Sequence, residues 1–159
     1  MTKILKDDKK TINAWAFYDW ANSVFPLVMT AAIFPAFYTN VTEPVRGSDQ
    51  LIFLGIEIKN TVLYSYAFSL SFLVIAFLSP ILSGIADHTG RKKMFMKFFV
   101  LLGSLSTSSL FFFNGENIYL GIFAFMLANI GFNGSLVFYN AYLPEIATKK
   151  IRDHVSAKG

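Results

Sequence analysis

The sequence predicts an all-α membrane protein with four transmembrane helices, and three observations carry that prediction. Apolar residues make up 54% of the 159-residue chain and charged ones only 15%. The apolar residues do not alternate with polar ones, as they do on the amphipathic elements of a soluble domain. They form four runs, about Ala14–Tyr38, Thr61–Ile85, Met94–Phe113 and Ile118–Tyr142, each long enough at roughly 20 residues per span to cross a bilayer. The charges gather between the runs.

The cations sort by side. Lys3, Lys6, Lys9 and Lys10 precede the first run, Arg91, Lys92, Lys93 and Lys97 sit in or beside the link between the second and third, and Lys149, Lys150, Arg152 and Lys158 end the chain. Only Arg46 and Lys59 fall on the other side. By the positive-inside rule both termini face the cytoplasm. The plan is then a cytoplasmic lead over 1–13, a four-helix region over 14–142 and a cytoplasmic tail over 143–159. Cations that flank spans meet anionic headgroups, which argues against nucleic acid as the partner of a chain of net charge +4. The absence of cysteine removes disulfides, thiolate catalysis and thiolate metal sites.

The lead, Met1–Ile12, is charged and expected to be flexible. The first span opens on Asn13-Ala14-Trp15-Ala16-Phe17-Tyr18-Asp19-Trp20-Ala21-Asn22-Ser23, polar and aromatic for a membrane helix. Trp15, Tyr18, Asp19 and Asn22 follow the i, i+3, i+4, i+7 spacing of one helix face. At about 1.5 Å per residue Asp19 lies roughly 8 Å above the helix start. An ionised carboxylate at the bilayer centre costs about 2.5–3.5 kcal/mol, so this face turns toward protein or water. Two readings stay open: an aromatic belt with Asp19 and Asn22 hydrogen-bonded to a neighbouring helix, or Asp19 as a proton or substrate ligand. Pro26 and Pro35 free backbone carbonyls further along, which membrane helices tolerate where neighbours satisfy them.

In the link Thr39–Asn60, Pro44-Val45-Arg46-Gly47 reads as a turn and Leu51–Ile58 as a short strand or interfacial segment. The second span ends near Ser79-Pro80 and leads into Ser83-Gly84-Ile85-Ala86-Asp87-His88-Thr89-Gly90-Arg91-Lys92-Lys93, too polar to lie in hydrocarbon. Small residues at Ser79, Ser83, Gly84 and Ala86 permit close helix approach. The third span has a hydroxylated middle, Gly103–Ser109, read as a packing seam. Asn114–Asn117 is short enough to force an antiparallel hairpin. In the fourth span Asn129, Asn133 and Asn140 fall within about 40° of one another at 100° per residue, either as helix glue or as an inward polar face. Pro144 is expected to end that span.

Together these residues resemble the major facilitator superfamily. Asp87, Gly90, Arg91 and Lys92 match the superfamily's motif between its second and third helices, with Ser83 where Gly is usual and His88 where Arg is usual. Ala14–Ser23 and Phe138-Tyr139-Asn140-Ala141-Tyr142-Leu143-Pro144-Glu145-Ile146 are similar to the branch that includes the vacuole effluxer-like proteins of autophagy. The resemblance implies about twelve helices in two halves of inverted three-helix repeats, with substrate at the central interface. This chain would supply the first four helices, its tail leading toward a fifth, as an N-terminal fragment or truncated product. It also implies a cytoplasmic latch at Asp87, Gly90, Arg91 and Lys92, and a cavity lined or supported by Tyr18, Asp19, Asn22, Asn129, Asn133 and Asn140.

The expected function is the N-terminal part of a secondary active transporter for small solutes such as amino acids, in the plasma (inner) membrane of a bacterium. Its partners would be the lipid bilayer, the solute, and either the missing C-terminal half or a second copy. The alternatives are a stand-alone four-helix pump that dimerises around Asp19, or a non-transporting scaffold or assembly subunit. The spans hold no histidine, no cysteine and no second carboxylate beside Asp19, so no acid–base pair speaks for an enzyme. No cofactor or metal site is expected. Gly84 to Gly90 lacks the spacing of a phosphate loop.

Overall fold

A computed structural model describes residues 6–158. In chain order its elements are α1 (Lys9–Asn22), a π-helical turn (Pro26–Ala31), α2 (Ile33–Arg46), strands β1 (Gln50–Phe53) and β2 (Ile56–Lys59), α3 (Asn60–Thr89), α4 (Lys92–Ser109), a 3₁₀ turn (Leu110–Phe112), α5 (Ile118–Ile146) and α6 (Arg152–Ser156). Four stretches, Lys9–Glu43, Asn60–Thr89, Lys92–Phe112 and Ile118–Ile146, are long and apolar enough to cross a bilayer. The chain is thus an all-α, multi-pass membrane protein.

The first span is broken. Pro26 opens the π turn and Pro35 sits in the first turn of α2, places where a missing N–H removes no helical bond. Between them Ala32 leaves helical space at φ −133°, ψ −64°. α1 begins at Lys9, five residues before the apolar run, because the Asp8 side chain accepts the Thr11 N–H at 2.9 Å and caps it. The flexible lead expected over Met1–Ile12 is therefore corrected from Asp8 on: this stretch caps and starts a helix, and Ile12 is buried. Met1–Leu5 and Gly159 lie outside the described residues.

Two further expectations are corrected by local geometry. Pro44–Gly47 is not a turn, because α2 runs through Arg46 and stops only where Gly47 takes φ 67°, a left-handed value that glycine adopts without strain. Pro144 does not end the fourth span, and α5 continues to Ile146. Lying in the last turn, Pro144 removes one ladder bond and weakens the helix end without stopping it.

α5 is the hub, with half of its most apolar stretch buried against 11–22% in the other spans. It touches α1, α3 and α4. Glycines set the α4–α5 distance: a Cβ on Gly131 would collide with the backbone N of Gly103, and one on Gly134 with the ring of Phe99, so the two backbones meet directly. Trp15, Ile12, Tyr139, Ile146 and Val155 form a core at the end that carries both termini. Phe34, Tyr38, Leu63, Phe113 and Phe125 form another at the opposite end, with Ile75, Phe99 and Phe138 between them. Phe17, Trp20, Phe77 and Phe111 are among the large apolar side chains left exposed on the flanks, as lipid contact requires.

The segment between α2 and α3 is an antiparallel hairpin, paired from Gln50↔Lys59 to Phe53↔Ile56. A Lys59–Asp49 ion pair of 2.9 Å closes its base, and that carboxylate raises the Lys59 ammonium pKa above its ordinary value.

Candidate functional site

Two groups of side chains stand out, one at the end of the bundle that carries the termini and one between its helices. At that end α3 stops at Gly90, whose φ of 64° places it in the left-handed region; α4 restarts at Lys92. The corner turns Lys92 back over the helix ends. Its Nζ lies 2.8 Å from Asp87 Oδ1 and 2.9 Å from Glu145 Oε1, and donates to the Ala141 carbonyl at 3.4 Å. The Lys92 side chain is only 16% exposed, against 62% for Asp87 and 39% for Glu145. One ammonium therefore ties the ends of α3, α4 and α5. Arg91, which the resemblance groups with Asp87 in a latch, is exposed and makes no ion pair among the described residues. Glu145 was not among the sequence candidates. Its signal was there, as the acid that closes an otherwise uncharged fourth run.

The aromatic face of α1 docks on α5. Trp15 stacks on Tyr139 at 4.3 Å between ring centroids and donates its Nε1–H to the Tyr139 carbonyl at 3.2 Å. One turn on, the Tyr18 hydroxyl donates to Ser135 Oγ at 2.7 Å, which donates in turn to the Phe132 carbonyl at 2.7 Å. Asp19 is half-buried and makes no side-chain hydrogen bond among those described, and its carboxylate lies beside the Tyr139 hydroxyl. That hydroxyl is buried without a hydrogen-bond partner, as is the Asn22 Nδ2.

Tyr18 and Asn22 open on a cleft of about 280 Å³ between α1, α4 and α5. Ser104 and Thr107 of α4 and Ser135 of α5 add hydroxyls to its wall; Gly103 and Gly131 lie among its lining residues. The hydroxylated middle of the third span thus divides. Ser106 is buried, Ser108 and Ser109 donate to carbonyls of their own helix, and Ser104 and Thr107 face the cleft.

The asparagine row is not interhelical glue. Asn129 is buried and donates to the Phe125 carbonyl at 2.9 Å, and Asn133 to the Asn129 carbonyl at 2.9 Å, both within α5. The Asn129 Oδ1 is buried and unpartnered, and Asn140 is exposed. At about 100° per residue, Asn133 and Asn140 fall between Tyr139, which meets α1, and Val137, which faces Ile75 and Ser79 of α3. The structure thus separates the six candidates: Tyr18 and Asn22 on the α4 side of α1, Asn133 and Asn140 on the side of α5 toward the α1–α3 gap, Asp19 beside Tyr139, and Asn129 inside. Among the described residues no three His, Asp or Glu side chains are grouped to hold a metal ion.

A protein of Bacillus subtilis (strain 168) named as an uncharacterized MFS-type transporter, YxiO, is 37% identical over 98% of this chain. Autophagy-related protein 22-1 of Aspergillus niger is 38% identical over 89% of it, and autophagy-related protein 22 of Yarrowia lipolytica 33% identical over 66%. The chain spans 35%, 23% and 18% of the length of these three relatives. No solved structure matches it. The family model described as vacuole effluxer Atg22 like matches residues 7–158, and the chain belongs to that family.

Proposed function

We propose that this chain forms the N-terminal part of a secondary active transporter that moves small solutes, amino acids among them, by alternating access. The relative named as an MFS-type transporter supports transport. The observation that carries the mechanism is the Lys92 clamp, which ties the ends of α3, α4 and α5 to one another. Alternating access rocks one rigid group of helices against another around a fixed site. Helices tied together in this way can lean as a unit.

In this reading the clamped end faces the cytoplasm of a bacterial cell, as the distribution of cations argues. Asp19, Asn133 and Asn140 present polar groups to the solute, while Tyr18, Asn22 and Asn129 support that wall from behind. The facing wall comes from the C-terminal half of the longer protein or from a second copy. Asp87, Gly90, Arg91 and Lys92 form the latch, with the exposed Arg91 left to engage the facing half.

The test uses a full-length relative carrying this segment. Replacing Asp87 by Asn changes the uptake rate with membrane insertion unaltered, and uptake identical to the parent sinks the latch. In the same assay Asp19→Asn flattens the pH profile if its carboxyl carries the coupling proton. An unchanged profile assigns Asp19 to structure.

A further inference from the structure

The hairpin between α2 and α3 has a tip built against the usual chemistry of turns. Leu54 and Gly55 are its two central residues, at φ 52° and φ 80°, the pattern of a type I′ turn, where Asn-Gly, Asp-Gly and Gly-Gly are favoured. Leucine is strained in a left-handed backbone that asparagine or glycine adopts readily. It takes that conformation while 71% exposed, flanked by Ile52 at 63% and Ile56 at 67%. A strained, solvent-facing leucine where a polar residue would relax the turn points to surroundings other than water.

Position gives the same answer. The tip does not stand away from the bundle but hangs along α5. Phe53 stacks on Tyr119 at 5.0 Å and reaches Phe123 at 6.5 Å between centroids. Phe123 lies five residues into α5, about 7 Å below its start at 1.5 Å per residue, within the roughly 5–10 Å that interfacial segments sink. Polarity is graded the same way: the Asp49–Lys59 ion pair is at the base, the nearest charge to the turn is Glu57, opposite Ile52, and Ile52 to Ile56 carries none. A backbone N–H exposed to lipid needs a partner. The Leu54 N–H has one, donating to the Tyr119 hydroxyl at 3.2 Å.

We infer that the hairpin is a membrane-interface anchor, with Leu54, Ile56 and Ile52 sunk into the headgroup–acyl boundary of the leaflet opposite the termini. The occupant of this apolar surface is lipid. The assignment depends on the spans crossing a bilayer and not on transport, so it stands or falls separately from the proposed function.

The chain contains no cysteine, so a single introduced thiol reports one position without background. Leu54→Cys, Ile56→Cys and Asp49→Cys would each be spin-labelled and reconstituted in vesicles of phosphatidylcholine and phosphatidylglycerol. Collision rates are then measured with oxygen, which concentrates in lipid, and with a water-soluble nickel chelate. The expected result is oxygen dominating at positions 54 and 56 and the chelate at position 49. Ile56→Cys leaves the strained turn intact, so it reads the tip even if the change at Leu54 reshapes the loop. Chelate access at both tip positions equal to that at position 49 would overturn the anchor and place the hairpin in water.

Discussion

At the corner between α3 and α4, two adjacent cations meet different surroundings. Arg91 is exposed, while Lys92 extends back between carboxylates from two other helices and is mostly buried. Hydrogen bonds to charged groups contribute about 1.5–3 kcal/mol each where they are sheltered, and partial exposure of Asp87 and Glu145 holds the sum toward the lower end. Lys92→Met should therefore cost about 2 kcal/mol in denaturant unfolding of the detergent-solubilised chain. Arg91→Met should stay within about 0.5 kcal/mol. Equal losses from the two would mean that the clamp is not the structural cation. Composition could place both residues in a polar link but could not choose between them. The choice follows from the left-handed turn at Gly90, which fixes where α4 restarts.

At the scale of elements, the α4–α5 seam depends on absent side chains. A methyl on Gly131 meets the backbone of Gly103 and the Phe99 carbonyl, which have no rotamer to change. Gly131→Ala should separate the helices and destabilise by about 3 kcal/mol, the upper range for overpacking. Gly84, where an added methyl group would have nothing within 4 Å, makes the contrast: Gly84→Ala should stabilise α3 by up to about 1 kcal/mol through helix propensity. Thermal unfolding of the two variants checks both signs. Here the sequence was informative in outline only. Runs of apolar residues showed four spans and their order, because span length is imposed by the bilayer. Small residues marked a possible close approach around Gly84, not at Gly131, and only the fold distinguishes the crowded glycine from the open one. The hydroxylated stretch Gly103–Ser109 was legible as a seam, but the outward turn of Ser104 and Thr107 depends on where α1 lies.

Across the whole molecule, the two ends of the described chain close on one another. The Asp7 N–H donates to the Ile146 carbonyl at 2.8 Å, and the Thr148 N–H and hydroxyl donate to the Asp7 carboxylate at 2.8 and 3.0 Å. Val155 of α6 is buried in the same core as Ile12 and Trp15. Contacts between residues so far apart in the chain leave no periodic trace in a sequence, which is why the lead read as flexible. Asp8, the neighbour of Asp7, makes the start of α1 sensitive to acid. Hydrogen bonds from the Thr11 hydroxyl and N–H hold its pKa below the ordinary value. A group with a depressed folded pKa contributes stability above its unfolded pKa and loses it as pH falls through the folded one. Amide exchange at Thr11, corrected for intrinsic rates, should therefore accelerate on acidification below about pH 4. In Asp8→Asn, which keeps a capping oxygen, protection should not vary with pH. A pH-dependent loss in that variant would assign the effect to another group.

The interrupted first span has a mechanical consequence. Lys9–Glu43 covers 35 residues, about 50 Å if uniformly helical, against a hydrocarbon thickness of about 30 Å. A single straight rod of that length would have to tilt steeply or protrude. Instead its lower rod is bolted to α5 by Trp15 and Tyr18, and its upper rod to Phe125 and Tyr64 by Phe34 and Tyr38. Ala32, outside helical space, is where the two rods join and can turn against each other. Two rods anchored separately and joined through a non-helical residue form a swivel, which lets the span change its bend with both bolts in place.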